Sequence, residues 1–237
     1  MNQKFVRLLI LCISLAFLIS ASYAADEQRI DNIPMYGQPK ILRPDLLKKA
    51  DEDFIKEVSE KFGDREKASR IWYAQAEKFI SEGNLDLAMR RYNQSWLLNP
   101  KNFQPYWGFG RILLEKRNID EGIQFLEKSK ELIDDQYQKA ALLTDLGTAY
   151  SVKAEMITDM QNKDIERFFD LANQMFLEST TLDGTYGNSW RRWAFSLYEQ
   201  GKFFEAWAKV KQAQKTNARP FPPAFLRALN QALPEPK

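Results

Sequence analysis

The stretch Ser69–Asn102, SRIWYAQAEKFISEGNLDLAMRRYNQSWLLNPKN, decides the fold. Trp72, Ala76 and Phe79 recur at helical spacing, and Gly83-Asn84 breaks the pattern. Ala88, Tyr92 and Ser95 then form a second helical stripe that stops at Pro100. Two short amphipathic helices joined by a Gly-Asn turn cannot bury both stripes alone. A chain built this way stacks the unit on copies of itself.

The next copy follows at an offset of 34: Trp72 maps to Tyr106, Ala76 to Gly110, Phe79 to Leu113, Ala88 to Gly122 and Tyr92 to Leu126. Pro105 stands at the helix start, where its missing N–H costs nothing. Gly108 and Gly110 weaken an isolated helix by about 1 kcal/mol each, and the compensation expected is close approach of the paired helix. A third first helix carries Leu143, Leu146, Gly147 and Tyr150, but its partner stripe, Ala172 and Phe176, arrives 13 residues late. Ser151–Gln161 and Asp164–Phe169 keep helical character. The expectation is therefore a hairpin protruding by roughly 10 Å, turning at Asn162-Lys163 and closed by Ala154, Ile157, Met160, Ile165, Phe168 and Phe169. A fourth unit returns to frame: Ala172 to Ala206 and Phe176 to Val210 are both 34. Trp190, Trp193, Ala194 and Leu197 supply its first helix.

The flanks complete the plan. Residues 45–63 read as a lead-in helix with the stripe Leu46, Ala50, Phe54, Val58 and Phe62, ended by Gly63 and followed by the capping residue Asp64. The four units occupy 64–102, 103–136, 137–186 and 187–219. Pro220, Pro222 and Pro223 end the array, and a last helix within 220–237, with Phe225, Leu226, Leu229 and Leu233, covers its open end. Residues 25–44 form an extended arm whose Ile33, Met35, Tyr36, Ile41 and Leu42 either pack outside the repeats or fold into their groove.

Residues 1–24 do not belong to this plan. Lys4 and Arg7 precede an apolar run from Leu8 to Ile19 and small residues around Ser22 and Ala24, the pattern of a secretory signal peptide cut after Ala24. The run is shorter than the ~20 residues that span a bilayer, so no membrane insertion is expected after cleavage, and the protein is expected to be periplasmic or secreted. Cys12 lacks the small residues of a lipid-anchor site. Lys4 and Arg7 leave with the signal, which turns 34 basic and 32 acidic residues into 32 of each. A neutral chain without a basic stripe is a poor nucleic-acid binder. The remainder has no Cys and no His, which removes disulfides, Cys/His zinc sites and Ser-His or Cys-His nucleophiles.

Over about Ser69–Ala218 the chain resembles the tetratricopeptide-repeat (TPR) family. The stretches AMRRYNQSWLLNP (Ala88–Pro100) and YWGFG (Tyr106–Gly110), behind an export signal, are similar to small exported proteobacterial members. The resemblance implies an all-α, right-handed α-solenoid of about four TPR helix pairs with lead-in and capping helices. It also implies a non-catalytic interaction module, without cofactor or metal, whose first helices line a concave groove for a peptide or helix of another protein. One subset of the family holds a terminal carboxylate with a Lys/Asn clamp. Tyr73, Glu77, Gln104 and Asp145 stand near those positions, so that clamp is missing.

Helical geometry selects the groove residues. Positions one after the Trp72-type residue, and four further on, face inward. They are Tyr73 and Glu77, Trp107 and Arg111, Thr144 and Thr148, and Arg191 and Phe195, flanked by Gln104, Leu114, Asn188 and Tyr198. Tyr, Trp and Arg dominate binding hot spots, and Asn and Gln can hold a peptide backbone. Trp72, Trp190 and Trp193 fall on the stripe and read as core. Two alternatives accompany this reading. Paired carboxylates such as Glu77 and Asp145 are the acid/base groups left for a cell-wall enzyme. An outer aromatic face at Trp96, Phe125 and Trp207 is a candidate for a homo-oligomer contact.

Overall fold

The computed structural model describes residues 29–159 and 161–236. The segment read as a signal peptide and Met160 lie outside the described residues. Among them are ten α-helices: α1 Asp45–Phe62, α2 Arg65–Ser81, α3 Leu85–Leu98, α4 Phe103–Glu115, α5 Ile119–Leu132, α6 Gln136–Glu155, α7 Asp164–Leu182, α8 Gly187–Glu199, α9 Phe203–Gln214 and α10 Pro223–Ala232.

The helices pair in sequence, α2 with α3, α4 with α5, α6 with α7 and α8 with α9, and each second helix packs on the next first helix. Each first helix also touches its successor, α2 with α4, α4 with α6 and α6 with α8. The first helices therefore sit on the inside of the curve. The protein is an all-α, TPR-like α-solenoid with a lead-in helix, α1, and a capping helix, α10.

Local chemistry sets the boundaries. Asp64 accepts the Glu66 N–H, Asn84 the Leu87 N–H, Asn102 the Gln104 N–H and Asp135 those of Tyr137 and Gln138, each satisfying a helix-start donor. Gly83 turns the first pair at φ 74°, a left-handed conformation that glycine adopts without Cβ strain. The equivalent turn of the second pair places Arg117 at φ 62°.

Buried hydroxyls record the repeat register. Ser95 donates to the Ser69 carbonyl (2.8 Å) and Ser129 to the Phe103 carbonyl (3.0 Å), both across 26 residues. Ser179 donates to the Ala140 carbonyl (2.7 Å) across 39. The third pair thus makes the same helix-to-helix bond with 13 residues inserted between its ends.

That insertion differs from the expected hairpin. α6 stops at Glu155 instead of running to Gln161, and residues 156–159 and 161–163 are non-helical before α7. Asp159 accepts the Gln161 N–H (3.0 Å) and Asn162 the Asp164 N–H (2.9 Å); these local side-chain bonds compete with helical ones. Both helices are still long, 20 and 19 residues, and Tyr150 stacks on Phe168 at 6.3 Å between them.

Glycines permit the tightest contacts. A Cβ on Gly110 would lie 2.7 Å from Leu126 Cγ and 3.0 Å from the Gly122 carbonyl oxygen, so α4 and α5 nearly touch backbone to backbone. A Cβ on Gly108 would land on the Tyr92 ring of the preceding pair.

The arm takes the outer position. Its 3₁₀ turns, Ile30–Asn32 and Pro34–Gly37, lie against α3, a second helix. The Asn93 amide donates to the Asp31 and Ile33 carbonyls, both at 2.9 Å. Tyr36 is buried beside Trp96, and Arg43 stacks on Tyr36 at 3.8 Å while pairing with Asp51 at 2.6 and 2.7 Å. The lead-in stripe is used only in part. Phe54 and Phe62 meet Trp72 edge-on at 5.6 and 5.7 Å, but Leu46 is 80% exposed.

At the other end α10 buries Leu229, and the Trp207 indole N–H donates to the Leu233 carbonyl (2.9 Å). Trp207 and Trp96 are both buried, the latter donating to the Tyr106 hydroxyl (3.1 Å), and Phe125 packs against Tyr106 and Phe109. Of the three residues read as an outer aromatic face, Trp96 and Trp207 are therefore interior and Phe125 stays partly exposed.

Candidate partner-binding groove

The inner face is organised by a row of charges, one from each first helix: Glu77 on α2, Arg111 on α4, Asp145 on α6 and Arg192 on α8. Arg111 Nη1 donates to both Glu77 oxygens at 3.0 and 2.9 Å, and Glu77 also accepts the Tyr92 hydroxyl. Tyr73 lies on Tyr92 with ring centroids 5.7 Å apart. The indole N–H of Trp107 donates to Asp145 Oδ2 at 2.8 Å.

Electrostatics follow from this packing. Burial, then the neighbouring Glu77 charge, pushes both tyrosine hydroxyls well above their usual range. Burial opposes the Arg111 charge, but Glu77 outweighs it and holds the guanidinium protonated. Burial raises Asp145, against the Trp107 hydrogen bond and the charges of Arg111 and Arg192.

Beside this row is a cavity of about 480 Å³ lined by Arg111, Asp145, Thr148 and Arg192, with Leu114 and Val152 as apolar wall. Thr148 is half-buried and donates to the Thr144 carbonyl (2.8 Å). Asn188 lies beside the Tyr186 hydroxyl, and Gln104 donates to Gln138 at 3.3 Å, its own carbonyl oxygen buried without a partner.

Four of the expected groove residues are placed differently. Thr144 is fully buried in a hydroxyl cluster, 3.0 Å from Ser179 and 2.6 Å from Ser189, and joins three helices. The Trp107 ring belongs to the hydrophobic core, with only its N–H directed at Asp145. Phe195 packs on Phe221 and Phe225 (5.5 and 4.4 Å), and Tyr198 on Phe203 and Phe225 (5.6 and 5.5 Å), because the capping segment needs an aromatic floor. Tyr73, Glu77 and Arg111 come together; Arg191 is half-buried against Phe195.

Asp145 and Arg192 are lining residues that the spacing rule passed over. Each stands one position after a predicted groove residue, and a charge costs more to bury than a threonine hydroxyl. That difference was the available signal. Glu77 and Asp145, the carboxylates of the catalytic alternative, are held in separate hydrogen-bond systems. No group of three or more His, Cys, Asp or Glu suited to a metal occurs among the described residues, nor any helix long and apolar enough to cross a membrane.

No protein-family model matches the chain, and no curated protein matches it. Among solved structures it is similar to TTC0263, a thermophilic TPR protein of Thermus thermophilus, at TM-score 0.58 and 14% identity, covering 69% of this chain and 80% of that one. A pilF structure from Pseudomonas aeruginosa aligns at TM-score 0.49 and 16% identity, over 73% and 79%. The fold this chain shares with TTC0263 is that of a TPR protein.

Proposed function

We propose that this chain is a non-catalytic interaction scaffold that holds a peptide or helix of another protein against its inner face. The observation that carries the reading is the cavity at Arg111, Asp145, Thr148 and Arg192, where polar side chains from three first helices converge next to apolar wall. TPR-type folds present such inner faces to partners, and among the described residues the arm docks on α3 and not on this face. The charged start, apolar run and small residues of 1–24 support export, which makes the partner an envelope protein.

A photoreactive residue at Thr148, introduced into cells, tests the site, with Gln124 on the second helix α5 as control. Adducts with another protein from Thr148 and none from Gln124 are expected. Adducts from Gln124 alone would move the contact to the outer face. Sequencing the amino terminus of the protein recovered from the envelope tests export; an intact Met1 would overturn it.

A further inference from the structure

The C-terminal end of the groove carries positive charge that the protein itself does not neutralise. Arg191 and Arg192 are consecutive on α8, and Arg219 lies in the link to α10. Among the described residues none of the three makes an ion pair. Along the rest of the inner face Arg111 is paired with Glu77, and Lys153 and Lys116 are paired with Asp120 and Asp86.

The Arg191 guanidinium carbon lies 4.9 Å from the centre of the Phe195 ring and 5.8 Å from that of Phe221, two residues beyond Arg219. These aromatic faces fix the guanidinium plane, and its Nε–H is buried with no acceptor. Arg192 turns to the inner cavity beside Thr148 and Asp145, and Asp145 is already engaged by Trp107. Burial, followed by the charges of Arg192 and Arg219, lowers the pKa of Arg191.

We infer that this arginine cluster is an acceptor for an acidic stretch of the bound polypeptide, whose aspartate or glutamate side chains enter at the α8–α10 end of the groove. The assignment rests on the groove reading above and gives the partner a chemistry and a direction. Guanidinium groups recognise carboxylates through paired N–H bonds, and uncompensated charge at one end of a groove steers encounter and fixes orientation. The residues near the terminal-carboxylate clamp, Tyr73, Glu77, Gln104 and Asp145, belong to the first three pairs, whereas Arg191, Arg192 and Arg219 belong to the fourth pair and the link after it.

Arg192 and Arg219 are exposed, so replacing them does not threaten the core. Fluorescence anisotropy of the purified protein with a fluorescein-labelled poly-glutamate peptide provides the test, with poly-glutamine of the same length as control. Poly-glutamate binding that falls with salt, and weakens at least about tenfold in both Arg192→Glu/Arg219→Glu and Arg192→Gln/Arg219→Gln, is expected. Circular dichroism melting of the variants should match the parent. Equal binding of the two peptides, or of parent and variants, would overturn the assignment. So would arginine-dependent binding of inorganic phosphate, of phosphatidylglycerol vesicles or of RNA in preference to the peptide. Survival of the Thr148 adduct in Arg192→Glu/Arg219→Glu cells would overturn the acidic partner and leave the groove standing. Absence of that adduct in the parent would remove the groove itself.

Discussion

The Arg111 guanidinium grips the Glu77 carboxylate from one full repeat away, Nη1 to Oε1 at 3.0 Å and to Oε2 at 2.9 Å, across 34 residues of chain. This pair joins α2 to α4 on the inner face, and the Tyr92 hydroxyl of α3 completes it. Each charge keeps about a third of its side chain exposed, so solvent screens the pair. Glu77→Gln should therefore cost only about 1 kcal/mol by urea denaturation, most of it from the weakened bonds of Arg111 and Tyr92. A double-mutant cycle with Arg111→Gln should show coupling; strict additivity would mean that the pair does not join the repeats.

Thr144 tests the boundary between core and groove. Its hydroxyl donates to the Ala140 carbonyl and shares protons with Ser179 and Ser189 inside the protein. Thr144→Val conserves volume and removes one member of the cluster; Ser179 keeps the Ala140 carbonyl and Ser189 keeps Ser179, so the cost is about 1 kcal/mol. Partner crosslinking through Thr148 should be unchanged at temperatures where the variant is folded. A stable variant that loses the partner would return Thr144 to the groove.

Gly108→Ala should destabilise by about 1–3 kcal/mol, because the new methyl meets a Tyr92 ring that has nowhere to go. That ring is held by Tyr73 on one side, Phe109 on another and Glu77 at its hydroxyl. Chemical denaturation reads the effect directly. A neutral result would mean that α3 and α4 can separate without loss.

Asp145 makes stability depend on pH. Burial raises its folded-state pKa above the unfolded value, so the native chain holds the proton more tightly. That contribution is complete below the ordinary carboxylate value of about 3.9 and is lost as pH rises through the higher folded value. Asp145→Asn keeps an oxygen for the Trp107 N–H and removes the titration. Its melting temperature should therefore gain on the parent as pH climbs from about 4 toward neutrality. Parallel curves would show that Asp145 is solvated.

Much of this organisation was readable in the chain. The 34-residue period, the Gly-Asn turn and the terminal prolines specify stacked helix pairs, since an unpaired amphipathic stripe has to be buried. The 13-residue delay in the third pair was equally visible. Its conformation was not, because Asp159 and Asn162 form local turns whose competition with helix is decided by a few hydrogen bonds.

Sequence by itself determined which residues repeat and therefore which helices pair. Tertiary structure alone decided which side of each first helix is the inside. One residue turns a helix by about 100°, so a modest rotation between pairs exchanges Thr144 for Asp145 at the surface. Contacts distant in sequence settle that rotation: Ser179 and Ser189 draw Thr144 inward, and Phe221 and Phe225 cover Phe195. The same distant contacts bring Arg191 onto Phe221 and within reach of the Arg219 charge, which no period in the chain could announce.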